Sequence, residues 1–86
     1  MSIADSVLDQ LVKITGTEEV RNNLELALFE EDVLDSLGAM ELVVALGEAF
    51  QIELTPAQVD RKMWATPRQI IADIENRVKP GKITAP

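Results

Sequence analysis

Ser36 has the surroundings of a residue that undergoes chemistry. It lies in Glu31-Asp32-Val33-Leu34-Asp35-Ser36-Leu37-Gly38, where a long loop gives way to an amphipathic helix. A hydroxyl at such a point is exposed, with backbone N–H groups and the positive end of a helix dipole beside it. Nucleophilic attack by serine needs a base within hydrogen-bond reach. The chain has no histidine, and Lys13, Lys62, Lys79 and Lys82 are all remote from Ser36 in sequence. A carboxylate pair can hydrolyse a glycoside, but nothing singles out a pair among the 15 acidic residues. No catalytic residue is assigned, and Ser36 reads as a hydroxyl that another enzyme modifies. The plainer role is a helix N-cap, open to Asp35 as much as to Ser36. Glu30, Glu31, Asp32 and Asp35 would in any case interact favourably with a helix N-terminus.

Composition narrows the chemistry further. With no cysteine there is no disulfide framework and no thiolate metal site. Without histidine, transition-metal binding is not expected, and the spaced acids of a calcium loop are absent. The 86 residues suit one small domain, too small for a deep closed cleft. Aromatic residues are 3% of the chain against 47% hydrophobic, so the core must be aliphatic, which favours helix-on-helix packing. A net charge of −7 disfavours nucleic acid and anionic membrane surfaces and favours basic partners. Met1 to Asp5 lacks the pattern of a secretory signal, and no apolar run approaches the ~18 residues of a membrane span. A cytoplasmic protein, without membrane insertion, is expected.

The elements that must position Ser36 follow from periodicity. Ile3, Val7, Leu11 and Ile14 predict a helix over 3–14, ended by Gly16. Residues 17–35 form a long connection, with a possible helical turn at 18–22. Val20, Leu24, Leu26, Leu28, Phe29, Val33 and Leu34 would pin it across the bundle. Residues 37–51 form the strongest helix. Thr55-Pro56-Ala57-Gln58 is a capping box that opens a short helix carrying Val59 and Met63. Thr66-Pro67-Arg68-Gln69 opens the last helix, whose apolar side is Ile70, Ile71, Ile74 and Val78. The expected fold is all-α: a small four-helix bundle with a long loop between the first and second helices and a short third helix. Residues 1–79 form the domain and 80–86 a frayed tail.

The helix after Ser36 has two apolar faces. At ~100° per residue, Ala39, Leu42, Val43, Leu46 and Phe50 share one side, with Ala45 and Ala49 nearby. Leu37, Met40 and Val44 fall on the opposite side, among Glu41, Glu48 and Gln51. A surface helix needs one apolar stripe. The second is either covered by the loop or the short helix, or is a docking face whose acidic rim selects basic partners. The docking reading assigns it Asp35, Leu37, Met40, Glu41, Val44 and Glu48.

This order of elements resembles the acyl and peptidyl carrier protein family. The resemblance rests on Asp35-Ser36-Leu37 at the start of an acidic amphipathic helix that continues Met40-Glu41-Leu42-Val43. It implies that Ser36 bears a 4′-phosphopantetheine arm, added from coenzyme A by a phosphopantetheinyl transferase. The arm's thiol would carry an acyl or aminoacyl group as a thioester, which accounts for a chain without cysteine. Phe29-Glu30-Glu31, Leu34-Asp35-Ser36, Gly38 and Glu41-Leu42, then Asp60-Arg61, Trp64 and Thr66-Pro67, are more narrowly similar to the D-alanyl carrier proteins. That likeness implies loading with D-alanine by an adenylating amino-acid ligase and delivery to a downstream transferase, toward teichoic acid. The chain itself would be a monomeric, non-catalytic carrier. Trp64 alternatively plugs the end of the bundle. Leu37 stands where D-alanyl carriers typically have phenylalanine, Ala39-Met40 replaces a more usual Thr-Val, and residues 80–86 are an extension. An aminoacyl or acyl carrier of a polyketide or nonribosomal pathway would also fit. A reading of another class is an adaptor helix bundle that is never modified.

Overall fold

A computed structural model describes residues 2–55 and 62–78. The described residues hold four helices and no strand: α1 (Ile3–Thr15), α2 (Glu19–Asn22), α3 (Ser36–Phe50) and α4 (Pro67–Val78). The all-α expectation is met. The short helix expected from Thr55-Pro56, with Val59, Asp60 and Arg61, lies outside the described residues, as does the tail.

Each long helix starts where its side chains can satisfy the first turn. Ser2 Oγ accepts from the Asp5 N–H at 3.1 Å and caps α1. Gly16, at φ 76°, ends α1 in the left-handed conformation and donates its N–H to the Val12 carbonyl at 2.8 Å. Thr66 Oγ1 accepts from the Gln69 N–H at 3.2 Å at the head of α4. Gln69 reaches back, but to the N–H of Ala65, one residue before the cap. The expected capping box is thus present in a shifted form. Pro67 takes the first helical position, where its missing N–H costs nothing.

α1 is the hub of the bundle: both α3 and α4 pack against it, and α2 touches it. Its Val7, Leu8 and Leu11 meet Leu42, Val43 and Leu46 of α3 and Ile70, Ile71 and Ile74 of α4 in one core cluster. Burying each such aliphatic side chain is worth ~1.5–3 kcal/mol.

The long connection 17–35, which includes α2, is held at both levels. Val20, Leu26, Leu28 and Leu34 are buried in the core, with Leu24, Phe29 and Val33 packed against it. Its backbone is bonded too. Leu28 donates to the Ala65 carbonyl at 2.8 Å, and Arg68 donates to the Leu24 carbonyl at 3.0 Å. Val33 and Leu34 both donate to the Leu28 carbonyl, closing a tight bend before α3. Asp32, at φ 60°, supplies the left-handed residue in that bend. Ion pairs Arg68–Glu25 and Arg21–Asp9 tie the connection to α4 and α1, and the hydrogen bond that Arg21 donates to Asp9 raises the Arg21 pKa.

Candidate functional site

The site is the first turn of α3 and the exposed side of the same helix. Asp35 has extended backbone (φ −109°, ψ −178°) and its Oδ1 accepts from the Gly38 N–H at 2.7 Å. Asp35 is therefore the N-cap, which settles the choice between it and Ser36. Ser36 is the first helical residue and is exposed. Its hydroxyl stands at the positive end of the α3 dipole, as anticipated, without being spent as the cap.

Leu37, Met40 and Val44 are 67%, 53% and 58% exposed, so neither the connection nor any other described element covers the second apolar face. Asp35, Glu41 and Glu48 are also exposed and flank it. The structure thus brings Ser36 and the expected docking residues onto one solvent-facing side of one helix. Met40, Glu41, Val44, Ala45 and Glu48 line a shallow depression of about 420 Å³ there. On the other side of α3, Leu42, Val43 and Leu46 are buried and Ala39 and Phe50 half-buried. Ala49 departs from expectation. Placed near the core side, it is exposed, while Phe50 beside it packs on the core.

Glu30, Glu31 and Asp32 are exposed on the bend before α3. Trp64 does not join this face. It is 1% exposed, and its Nε1 donates to Asp73 Oδ2 of α4 at 2.8 Å. Arg77 Nε donates to the same oxygen at 3.2 Å. The plug role of Trp64 is what the packing shows. Asp73 escaped the sequence reading because a half-buried acid on a polar helix carries no signal of its partner.

Gly38 entered the sequence reading as part of the likeness to the D-alanyl carriers, but with no spatial role. It is buried, and its Cα is approached by the loop, the cap and α1 together. The available signal was the glycine itself: in a helix it costs ~1 kcal/mol relative to alanine, so a glycine in the first turn of the strongest helix calls for a spatial reason.

The phosphopantetheine attachment site family matches residues 5–74. The chain belongs to that family. Carriers of this family hold a covalently attached 4′-phosphopantetheine, and this site fits one: an exposed hydroxyl at a helix N-terminus, where amide groups and the dipole favour a phosphodiester, with the Asp35 charge engaged by the cap. Among curated relatives, the chain is similar to the D-alanyl carrier protein of Enterococcus faecalis, 44% identical over 87% of this chain and 96% of the relative. The D-alanyl carrier protein of Lacticaseibacillus casei is 42% identical over 86% and 91%, and that of Listeria welshimeri 39% identical over 87% and 96%. The family's role is that of a carrier rather than a catalyst. Among the described residues no three acids gather to hold a metal ion, and no helix is long and apolar enough to cross a membrane.

Proposed function

We propose that Ser36 bears the 4′-phosphopantetheine arm and that this chain carries a D-alanyl group from an adenylating ligase to a downstream acyl- or aminoacyltransferase. The observation that carries the reading is the division of work at the start of α3. Asp35 caps the helix, which leaves the Ser36 hydroxyl exposed beside an uncovered apolar strip. When bound, the arm supplies the thiol on which the aminoacyl group travels as a thioester.

The chain's own residues present and recognise. The capped first turn keeps Ser36 at the surface, where a phosphopantetheinyl transferase reaches it. Leu37, Met40 and Val44 provide contact area, and Asp35, Glu41 and Glu48 rim it with negative charge. Such a face selects partners with a basic border around an apolar patch. No residue of the chain activates the amino acid, so cargo choice rests chiefly with the ligase. Coenzyme A and an adenylating ligase place this work in the cytoplasm. The carrier unit is residues 1–79, with 80–86 as an appended tail, and it acts as a monomer. D-alanine is favoured over the cargo of a natural-product pathway because each relative described above is named for it.

The test has two stages. The purified chain, incubated with coenzyme A and a broad-specificity transferase, gains the mass of one phosphopantetheinyl group, and Ser36→Ala gains nothing. No gain in the wild type sinks the carrier reading in favour of an unmodified adaptor. The modified chain is then offered to its cognate ligase with ATP and D- or L-alanine. D-alanine is loaded in preference; preference for another amino acid or a fatty acid removes the D-alanyl assignment and leaves the attachment site standing.

A further inference from the structure

Gly38 has a helical conformation, so backbone freedom does not explain it; Gly16 is the described glycine with positive φ. Space does. A Cβ built on Gly38 would lie 3.0 Å from Leu34 Cδ1, 3.2 Å from Asp35 Oδ1 and 3.4 Å from Ile14 Cγ2. These atoms belong to the end of the connection, the helix cap and the last turn of α1. None moves easily. Leu34 is 2% exposed and its N–H is bonded to the Leu28 carbonyl at 3.0 Å. Asp35 Oδ1 is the cap acceptor, held 2.7 Å from the N–H of Gly38 itself. Ile14 is half-buried against the core.

Resting on Ser36 as the attachment residue, we infer that Gly38 is a positioning residue for its modification. The bare Cα lets the connection, the cap and α1 close together on the first turn of α3. That contact sets the rotation at which the Ser36 hydroxyl is presented to the transferase. A methyl group at 38 meets Leu34 Cδ1 most closely, at 3.0 Å, and lifts the turn away from it. That rotates Ser36, two positions away, while Val44 and Glu48 further along the helix keep their places. Docking and presentation are thereby separable. A shift of well under a helical turn suffices, since misplacing a reacting atom by ~1 Å costs up to about a hundredfold in rate.

The experiment is steady-state transfer of the phosphopantetheinyl group onto wild type, Gly38→Ala and Gly38→Ala with Leu34→Val. In the double variant the side chain at 34 no longer carries the δ carbon that the new methyl meets. Gly38→Ala lowers kcat by about tenfold with KM within about twofold of wild type, and the added Leu34→Val restores most of the loss. Helix propensity alone would leave kcat unchanged or improve it and would be indifferent to residue 34. A wild-type kcat in Gly38→Ala overturns the inference. Should that single variant not fold, the double variant decides: folded with wild-type kcat it supports the inference, and folded with a lowered kcat it overturns it. A wild-type chain that gains no mass at Ser36 fails the attachment reading instead, and the two failures are distinct.

Discussion

At the scale of single residues, the start of α3 separates two tasks: capping, which a serine or an aspartate can perform, and bearing a modification on a hydroxyl, which the serine alone can. A cap must turn its oxygen back onto the helix, and a modified hydroxyl must point outward. Asp35 does the first, at 2.7 Å from the Gly38 N–H, and the proposed function gives Ser36 the second. The same carboxylate is assigned a place on the rim of the docking face, and its two roles respond differently to substitution. Asparagine caps about as well as aspartate, whereas alanine forfeits ~1 kcal/mol. Asp35→Asn therefore keeps the melting temperature near wild type while weakening encounter with a basic partner, and Asp35→Ala lowers both. Thermal denaturation alongside the rate of ligase loading separates them. If Asp35→Asn melts as early as Asp35→Ala, the carboxylate charge rather than the cap bond holds the turn. The motif Asp35-Ser36-Leu37 was plain in the sequence, but which oxygen capped was not, because capping depends on backbone dihedrals that neither residue type dictates.

At the scale of elements, the helices were legible and their anchors were not. Period-3.6 patterns and capping residues placed α1, α3 and α4 within a residue or so of where they lie, since those signals act within one or two turns. The connection 17–35 showed its apolar side chains, and these are buried or packed on the core as expected. Its bonds to Ala65 and Arg68 join residues some forty positions apart, and no local pattern encodes such a partner. The Trp64–Asp73–Arg77 arrangement is of the same kind. It clamps the segment before α4 onto α4 itself with a charge-assisted bond. Asp73→Ala would leave the buried indole N–H unpaired and remove the Asp73 bond to Arg77, a loss of ~1–3 kcal/mol. Chemical denaturation followed by the Trp64 fluorescence measures it. Retained wild-type stability would show that the indole N–H finds another acceptor at no cost.

At the scale of the whole molecule, 15 acids against 8 basic residues have opposite effects on folding and on encounter. Like charges repel within the folded chain, so screening them stabilises it; the same screening weakens attraction to a basic partner. Raising salt from low to physiological and beyond is expected to raise the melting temperature slightly while slowing ligase loading severalfold. Loading that is indifferent to salt would mean that the apolar strip alone governs docking. Architecture adds a constraint of timing. α1 packs against both α3 and α4, and α4 begins at Pro67. During synthesis, then, α1 waits for α4. Until α4 has left the ribosome, Val7 and Leu11 have only part of the surface they will be buried against, and the turn that carries Ser36 lacks the settled α1 behind it. A transferase that requires the folded face thus meets only chains whose α4 has already been made, so that maturation waits on α4 by topology alone.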